Sequence, residues 1–229
     1  MTLPDLESKN AQEVLRYALE QYGSKVGLAT SFGAEDVVLM DMLGRIDAEK
    51  AYVFTLDTGR LPYETYDVLD AFRKKYPALK VHVFCPNTAA LEAMVAEHGP
   101  NLFYESIDNR KKCCNVRKVE PLKRALSQLD AWITGLRREQ SVTRTEVLKV
   151  ENDTAFNLIK FNPLADWSEQ DVWDYIRQND VPYNALHDKN YPSIGCAPCT
   201  RAVQEGEDVR AGRWWWETPE QKECGLHAK

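Results

Sequence analysis

The sequence predicts an α/β fold in which a mostly parallel, twisted sheet carries helices on both faces. Two observations lead to this prediction. Short apolar runs typical of buried strands recur along the chain, and each run precedes a turn and a longer amphipathic segment. The first three runs cover residues 26–29, 51–56 and 80–84. Strands that alternate with helices form βαβ units, which align the strands in parallel and cover both faces of the sheet.

The later elements follow from local signals. Pro62 opens a helix that extends to Tyr76, because proline is favoured in the first turn of a helix. Ser168 and Asp171 form a capping box with the shorter acid and start a helix that ends near residue 178. The remaining predicted elements are a helix at residues 115–129, a strand at 131–134 and an edge hairpin that pairs residues 146–150 with 157–161.

Length and composition predict one domain at residues 1–200 and a mobile C-terminal segment at residues 201–229. The chain has 229 residues, 44% of them apolar, and a formal net charge of -6. The acidic balance argues against a nucleic-acid partner. Neither a signal peptide nor an apolar run of membrane-spanning length occurs, so we expect a cytoplasmic protein without membrane partners. A homo-oligomer is also compatible with the sequence.

Basic residues concentrate in one stretch of the chain. Residues 110–149 contain eleven Lys and Arg against four Asp and Glu, which gives this stretch a formal charge of +7. A basic segment in an acidic protein suits a small anionic ligand, although a solvated helix face accounts for part of the charge.

Four cysteines, arranged in two pairs, supply enough ligands for a metal centre. Cys113 and Cys114 are separated by 81 residues from the pair Cys196 and Cys199. Four thiolates suit either a four-cysteine iron-sulfur cluster or a zinc site. The side chains of adjacent cysteines point in different directions, which favours the cluster over a zinc site. Zinc remains the alternative. A disulfide framework is disfavoured because a chain of this length builds its own core.

The two other cysteines differ in context. Cys85 ends an apolar run, so we predict that it is a buried strand residue rather than a ligand. Cys224 lies near the end of the chain in the segment Glu-Cys-Gly-Leu-His. If the first four cysteines bind a metal centre, Cys224 is free for chemistry.

Polar turns follow three of the predicted strands. The first turn contains Ser31 and Gly33 at the start of a helix, where backbone N–H groups and the serine hydroxyl can cradle a phosphate. A plain turn is the alternative interpretation. The second turn begins at Leu56 and contains Thr58 and Gly59. The third turn covers residues 134–141, and we expect all three to meet at the carboxyl edge of the sheet, where open α/β folds bind nucleotides.

Six motifs carry a family resemblance: SFGAED at 31–36, LDTGR at 56–60, KKCCNVRKVEPL at 111–122, GLRREQS at 135–141, GCAPCTR at 195–201 and ECGLH at 223–227. Together they resemble the assimilatory, thioredoxin-dependent adenylyl-sulfate reductases of bacteria, in that family's order. The resemblance implies an adenine-nucleotide alpha-hydrolase-like, Rossmann-like fold. It also implies reduction of adenosine 5'-phosphosulfate to sulfite and AMP, and a 4Fe-4S cluster on the four paired cysteines.

The resemblance also implies a set of substrate-binding residues. Lys118, five residues after Cys113, can reach between cluster and sulfate. Arg137 is less certain, because it can instead serve the structure of its own loop or form a salt bridge to Glu139 or another acid. The complete set expected to bind substrate is Ser31, Gly33, Leu56, Thr58, Gly59, Lys118, Arg137, Arg144, Arg210 and Arg213.

The chemistry of the substrate points to Cys224 as the nucleophile. The sulfur of adenosine phosphosulfate carries a good leaving group, so that a thiolate can displace AMP and form an S-sulfonate. No second free cysteine lies near Cys224 in the sequence, so an external dithiol, thioredoxin or a glutaredoxin-like protein, must release sulfite. His227 can orient the thiol, or it is a surface histidine. A mobile tail would reach the sulfate and then meet the reductant.

Three adjacent tryptophans follow the second cysteine pair. Trp214, Trp215 and Trp216 cannot all face one side, so some should pack on the protein body.

The nearest alternative function is that of a 3'-phosphoadenylyl-sulfate reductase, or of an enzyme that accepts both nucleotides. The paired cysteines disfavour this alternative. An ATP pyrophosphatase usually has S-G-G-x-D-S where this chain has SFGAED. A zinc-stabilised nucleic-acid module conflicts with the net negative charge.

Overall fold

The computed structural model describes residues 3–140 and 146–218 of the chain. The described residues form two compact units. The first unit holds residues 3–55, 67–82, 128–140 and 146–184, and the second holds residues 56–66, 83–127 and 185–218. The boundary predicted at residue 200 therefore falls inside the second unit.

Six strands form one sheet. They are β1 (Val26–Thr30), β2 (Tyr52–Leu56), β3 (Val81–Phe84), β4 (Ala131–Ile133), β5 (Val150–Asp153) and β6 (Leu158–Phe161). Their order is β3-β2-β1-β4-β6-β5. β1 pairs in parallel with β2 and with β4, β4 pairs in parallel with β6, and only the β5–β6 pair is antiparallel among the pairs described. The mostly parallel sheet is therefore confirmed, and β2, β1 and β4 end at the same edge.

Seven α-helices accompany the sheet in the described part of the chain: α1 (Ala11–Tyr22), α2 (Ala34–Asp47), α3 (Tyr63–Lys75), α4 (Thr88–His98), α5 (Ile107–Cys114), α6 (Glu120–Leu126) and α7 (Glu169–Gln178). The predicted capping box of Ser168 and Asp171 starts α7, since each side chain accepts a hydrogen bond from the backbone of the other. None of the described helices has both the length and the apolar composition that a membrane crossing requires.

The first unit has an extensive apolar core. Val14 of α1, Leu28 of β1 and Val38 of α2 are fully shielded from solvent. Each fully buried aliphatic side chain contributes about 1.5–3 kcal/mol relative to an exposed one. This core fixes α2 against β1, so the turn between them has a defined position.

The second unit has a smaller core that includes two cysteines. Leu102 and Phe103 are buried there with Cys113, Cys199 and Trp214. The cysteines predicted to bind a metal centre thus pack against apolar side chains, which limits their access to water.

Two predictions about β3 are wrong. Residues 80–84 were predicted as a buried strand, but Val83 is 47% exposed and no residue of the strand is fully buried. Cys85 is exposed rather than buried. The physical reason is position, because β3 is the last strand at one side of the sheet order and has a strand neighbour on one side alone.

The edge hairpin is confirmed with a different first strand. β5 covers Val150–Asp153 instead of residues 146–150. The Asp153 carboxylate accepts hydrogen bonds from the backbone N–H groups of Ala155 and Phe156 at 3.0 and 3.3 Å. Asn157 then adopts a left-handed conformation with φ 54°. This tight turn fixes the pairing of Asp153 with Leu158 and moves the first strand towards the C-terminus.

The helix predicted at residues 115–129 is wrong in its first part and in its end. A π-helical turn covers Asn115–Val119 and joins α5 to α6, which ends at Leu126. The N–H of Glu120 accordingly donates to the carbonyl of Asn115, five residues earlier. Pro121, which has no N–H to donate, occupies the first turn of α6.

Candidate metal and substrate site

One pocket of the second unit collects the four paired cysteines and several cations. We call it the cysteine pocket. It encloses about 400 Å³ of empty space, part of it open to solvent. Its lining consists of Arg60, Phe103, Arg110, Cys113, Cys114, Arg117, Lys118, Cys196, Pro198, Cys199, Arg213 and Trp214. Two segments that are far apart in the sequence thus bring their thiols together, as the motif spacing predicted.

The π-helical turn positions the first cysteine pair and two cations. Cys113 and Cys114 are the last residues of α5. Arg117 and Lys118 follow within the π-helical turn and line the same pocket. A π turn contains one residue more than an α turn, so it changes the direction of the side chains that follow it, and such turns are frequent at functional sites.

The second cysteine pair lies in a loop that is held at several points. The N–H of Ala197 donates to the carbonyl of Arg60 at 2.8 Å. The Tyr104 hydroxyl donates to the carbonyl of Pro198, also at 2.8 Å. A single 3₁₀ turn at Ala197–Cys199 then joins Cys196 to Cys199. These bonds keep the two thiols on the pocket side of the loop.

Thr58 was predicted to bind substrate, and its side chain contacts a cysteine. Its Oγ1 lies 3.2 Å from Sγ of Cys196. The backbone N–H of Arg60 donates to the same Oγ1 at 3.2 Å. Because this N–H uses an acceptor position of the hydroxyl, the hydroxyl proton is available to the sulfur.

Burial and neighbouring charges set the pKa values of the pocket thiols. Burial and the charges of the three other pocket cysteines together raise the pKa of Cys199 to about 12, although Lys118 opposes this change. Burial likewise raises the pKa of Cys113. In Cys196 burial acts in the same direction, but Lys118 and the Thr58 hydrogen bond outweigh it and lower the pKa below its ordinary value.

The cations of the cysteine pocket are held by backbone groups and aromatic rings. Nη1 of Arg117 donates to the carbonyl of Thr58 at 2.6 Å. Arg60 donates to the carbonyl of Pro100 at 2.8 Å and its guanidinium lies 5.6 Å from the ring centre of Phe103. Cations that are fixed beside thiolates offset the cost of burying negative charge.

Arg213 requires a glycine opposite it. Its guanidinium lies 4.8 Å from the ring centre of Trp214, and a Cβ atom at Gly195 would overlap the same guanidinium. Gly195 directly precedes Cys196. The glycine of the second cysteine motif is thus explained by the close approach of an arginine.

Arg110 is fully buried and paired. Its Nε and Nη2 donate to the carboxylate of Glu217 at 3.0 and 2.8 Å, and the side chain of Glu217 is 3% exposed. The Arg110 guanidinium also lies 4.8 Å from the ring centre of Trp214. The bidentate pair fixes the segment that follows Trp214 to the helix that carries Cys113.

The donor set of the cysteine pocket fits a 4Fe-4S cluster in number and chemistry. Four cysteine thiols line it, and each would bind a different iron. In the described ranges, Nε of Arg117 and Nε1 of Trp214 are buried without a hydrogen-bond partner. Buried N–H donors of this kind suit the sulfur atoms of a cluster, whose potential depends on such bonds. No group of three or more His, Cys, Asp or Glu in those ranges is arranged to hold a single metal ion.

Leu56, Gly59 and Arg210 are the other residues of the second unit that were predicted to bind substrate. Leu56 is the last residue of β2. Gly59 adopts a left-handed conformation with φ 69°, and a Cβ atom there would lie 3.5 Å from Nη1 of Arg117. The backbone N–H of Arg210 donates to the Asp208 carboxylate at 2.8 Å, and Arg210 does not line the cysteine pocket.

In the first unit, the turn after β1 contains Ser31 and Gly33. The Ser31 N–H and hydroxyl both donate to Oδ2 of Asp36, at 2.6 and 2.9 Å. Burial raises the pKa of Asp36 to about 6, although the bonds from Ser31 oppose this change. The predicted phosphate cradle is present as a turn, and its donors contact a carboxylate of the chain itself.

Arg137 forms the salt bridge that was the alternative to substrate binding. Its Nε donates to Glu35 at 2.9 Å, and Nη1 donates to the carbonyl of Trp167 at 3.3 Å. Glu35 is the closer acid, and Glu139 also forms a salt bridge with Arg137, at 4.0 Å from Nη1. Three further predicted site residues, Arg144, Cys224 and His227, lie outside the described residues.

Sequence reasoning missed three cations of the cysteine pocket and separated the indoles correctly. Arg60, Arg110 and Arg117 line the cysteine pocket but were not selected. Arg117 directly precedes Lys118 in the first cysteine motif, and this proximity was the available signal.

Trp214 is 1% exposed and Trp215 is 40% exposed, which confirms that the adjacent indoles face different sides.

Comparison with known proteins shows the family of the chain. A family model described as the phosphoadenosine phosphosulfate reductase domain matches residues 25–202. The chain belongs to the phosphoadenosine phosphosulfate reductase family. A relative named adenosine 5'-phosphosulfate reductase, from Allochromatium vinosum, is 52% identical over 228 residues, which cover 100% of this chain and 88% of that protein.

Two solved structures confirm the predicted fold for this member of the family. The phosphoadenylyl-sulfate reductase of Candida auris has a TM-score of 0.74 and 28% identity, and the match covers 89% of this chain and 99% of that one. The FMN adenylyltransferase of Candida glabrata has a TM-score of 0.58 at 10% identity, with coverage of 96% and 73%. The second likeness concerns the fold alone.

Proposed function

We propose that the chain reduces adenosine 5'-phosphosulfate to sulfite and AMP in sulfate assimilation. The observation that carries this proposal is the cysteine pocket, where four thiols from two distant segments lie beside Lys118 and Arg213. A cluster beside fixed cations suits a doubly anionic substrate. The 52% identical relative is named for reduction of the same compound, which supports the choice of substrate.

The four pocket cysteines would hold a 4Fe-4S cluster. When bound, the cluster supplies a local electrostatic field and ties two segments together. The unpartnered N–H groups of Arg117 and Trp214 support this assignment. The free thiols and such a cluster suit a reducing compartment, so we infer that the protein acts in the cytoplasm.

Lys118 and the arginines would hold the phosphosulfate. Lys118 lies close enough to the second cysteine pair to lower the pKa of Cys196 and to oppose the increase in the pKa of Cys199. Its ammonium group can therefore serve both the thiolates and a sulfate. Guanidinium groups bind oxyanions through parallel N–H donors. Arg213 presents such a group in the cysteine pocket, and by family resemblance Arg144 and Arg210 would add two more.

Cys224 would carry the chemistry. Its thiolate attacks the sulfate sulfur, a bond forms between the two sulfur atoms, and the bond from sulfur to the phosphate oxygen breaks. AMP leaves with that bonding pair, so the products are AMP and the Cys224 S-sulfonate. His227, three residues further along, would orient the thiolate or contact the substrate.

Reduced thioredoxin, or a glutaredoxin-like dithiol, would release the product. One of its thiolates attacks Sγ of Cys224, and sulfite leaves with the bonding electrons. The second thiol of the partner then attacks the mixed disulfide, which returns Cys224 to its thiol and oxidises the partner to a disulfide. The two electrons of the reduction thus come from the dithiol.

The 3'-phosphorylated nucleotide is the second candidate substrate, because the similar protein of Candida auris is named phosphoadenylyl-sulfate reductase. An anaerobic assay of sulfite release with thioredoxin, run on both nucleotides, separates the two, and iron is measured on the same sample. We expect sulfite mainly from the unphosphorylated form and about four iron per chain. Sulfite from the 3'-phosphorylated form alone would assign the sister activity, and no sulfite from either would refute the proposal.

A further inference from the structure

The turn after β1 holds an anion that belongs to the chain itself. Oδ2 of Asp36 accepts hydrogen bonds from the N–H of Ser31 at 2.6 Å and from the Ser31 hydroxyl at 2.9 Å. The backbone of Gly33 also hydrogen-bonds to this carboxylate. Between them, Phe32 adopts a left-handed conformation with φ 60°. A turn of this type directs successive N–H groups towards an anion, and the N-terminus of α2 adds positive potential. The Asp36 carboxylate therefore takes the donors that a phosphate would need.

A neighbouring cation is neutralised in the same way. Nε of Arg137 donates to Glu35 at 2.9 Å, and the Arg137 side chain is 6% exposed. A Cβ atom at Gly135 would lie 2.8 Å from both Oδ1 of Asp36 and Cβ of Glu35. The backbone that follows β4 thus packs closely on the two acids. Together, these adjacent acids engage both the N–H donors of the turn and a buried guanidinium beside it.

We propose that Asp36 is a specificity-determining residue that excludes nucleotides with a terminal pyrophosphate from this turn. A pyrophosphate there would have to displace the carboxylate from its donors and would meet its negative charge, which is discrimination by repulsion. The inference rests on the proposed function, because adenosine 5'-phosphosulfate has no β,γ-pyrophosphate whereas ATP has one. The turn is then closed to a common competing nucleotide.

The test replaces Asp36 in the full, iron-loaded chain and titrates it with inorganic pyrophosphate and with ATP. Asp36→Asn keeps the size of the side chain and removes its charge, and Asp36→Ser also opens space. We expect at least a tenfold lower Kd for pyrophosphate in both variants. Asp70→Asn is the matched control, because Asp70 is a solvent-exposed acid on α3 of the same unit. Its Kd should stay within twofold of the wild-type value.

A second variant keeps the test decisive if the Asp36 variants do not fold. Glu35→Gln retains the Asp36 bonds and removes one of the two adjacent negative charges, the one closer to Arg137. It should therefore lower the Kd for pyrophosphate by a smaller factor, at least threefold. Wild-type affinity in every folded variant would overturn the proposal. Sulfite release by the wild type is measured in parallel, so a failure of the proposed function is seen separately from a failure of this binding comparison.

Discussion

Cys196 and Cys199 show how position separates two chemically identical thiols. Burial raises the pKa of Cys199 to about 12. Burial acts in the same direction on Cys196, but Lys118 and the Thr58 hydroxyl lower its pKa. The two residues are only three apart in the sequence, so the difference comes from the groups that surround each sulfur. Metal ligation requires both as thiolates, so binding of the proposed cluster would displace a proton from Cys199.

Lys118→Ala tests the cation beside the cysteine pocket. We expect the turnover number to fall about 10- to 100-fold, because a charge-assisted hydrogen bond contributes about 1.5–3 kcal/mol. The iron content should stay unchanged, since the four thiols remain. Lys111→Ala is the matched control, because Lys111 is an exposed lysine of the adjoining helix. Turnover of Lys118→Ala at the wild-type rate would remove Lys118 from the mechanism.

Cys224→Ser tests the nucleophile. The variant should bind iron and AMP as the wild type does, because none of the pocket cysteines is changed, and it should form no S-sulfonate. The measurement is mass spectrometry of the protein after one turnover with isotopically labelled substrate. Cys85→Ser is the control, since Cys85 is an exposed free thiol outside the cysteine pocket. A sulfonate on Cys224→Ser would assign the nucleophile to another thiol.

Asp36 should make stability depend on pH in a defined direction. Burial raises the pKa of this carboxyl from 3.8 to about 6, so between these values the folded state binds the proton more tightly than the unfolded state. Stability is therefore lost as pH rises through this window. Relative to Asp36→Asn, which does not titrate, the wild type should lose up to about 3 kcal/mol, because one pKa unit corresponds to about 1.4 kcal/mol.

Urea titrations of both proteins between pH 4 and pH 7 give the measurement. A control with the opposite sign is Asp70→Asn, because Lys74 lowers the pKa of Asp70. The ion pair of Asp70 with Lys74 stabilises the folded state above the pKa that Asp70 has in the unfolded chain. This stabilisation is lost as the pH falls. If the difference in unfolding free energy between the wild type and Asp36→Asn does not change with pH, the Asp36 carboxyl does not titrate as the burial indicates.

At the scale of single residues, the sequence predicts groups that act through their own chemistry. The four pocket cysteines and Lys118 were found from residue type and spacing. Thr58 was found in its motif, but its contact with Cys196 was not, because the two lie 138 residues apart. Asp36 was noticed as a departure from a motif, and only the coordinates show that its carboxylate accepts the donors of Ser31.

At the scale of elements, the sequence predicted the central strands correctly and failed where the position of an element in the fold determines its exposure or geometry. The apolar runs of β1, β2 and β4 are confirmed because these strands have neighbours on both sides. The run of β3 was predicted in the same way, yet its place at the end of the sheet leaves Val83 exposed. The π-helical turn has no signal of its own in a sequence of normal helix formers, so the continuous helix predicted there was wrong.

The buried pair of Arg110 and Glu217 is the element contact whose loss should cost most. It joins α5 to the segment after Trp214, and the two side chains are 0% and 3% exposed. Glu217→Gln leaves a buried cation without its counterion, which typically costs about 3–5 kcal/mol. We expect a decrease of this size in the free energy of unfolding, measured on the iron-loaded protein.

A double variant identifies the cause of that decrease. Adding Arg110→Met to Glu217→Gln also removes the buried guanidinium and should restore most of the lost stability. Asp174→Asn removes an exposed pair with Arg177, and we expect it to cost less than about 1 kcal/mol. A Glu217→Gln protein as stable as the wild type would mean that the pair contributes nothing to anchoring the segment.

At the scale of the whole molecule, the chain enters the second unit three times, at residues 56, 83 and 185. Two of these entries follow directly from strands, since Leu56 ends β2 and Val83 belongs to β3. All four pocket cysteines belong to the second and third entries. Iron bound by them would therefore connect separate passages of the chain inside one unit, in the way that a disulfide closes a long loop.

Removal of the iron should consequently loosen the second unit alone. Its small core and a few backbone hydrogen bonds would then have to hold residues 107–126 to residues 193–216, whereas the first unit retains its larger apolar core. We expect hydrogen exchange, read by mass spectrometry after chelation, to increase at least tenfold in both of these ranges. β1 and β4 should exchange at unchanged rates, because stability differs between regions of one protein. An equal increase in β1 and β4 would show that the iron supports the whole fold, and no increase anywhere would show that the cysteine pocket is stable without it.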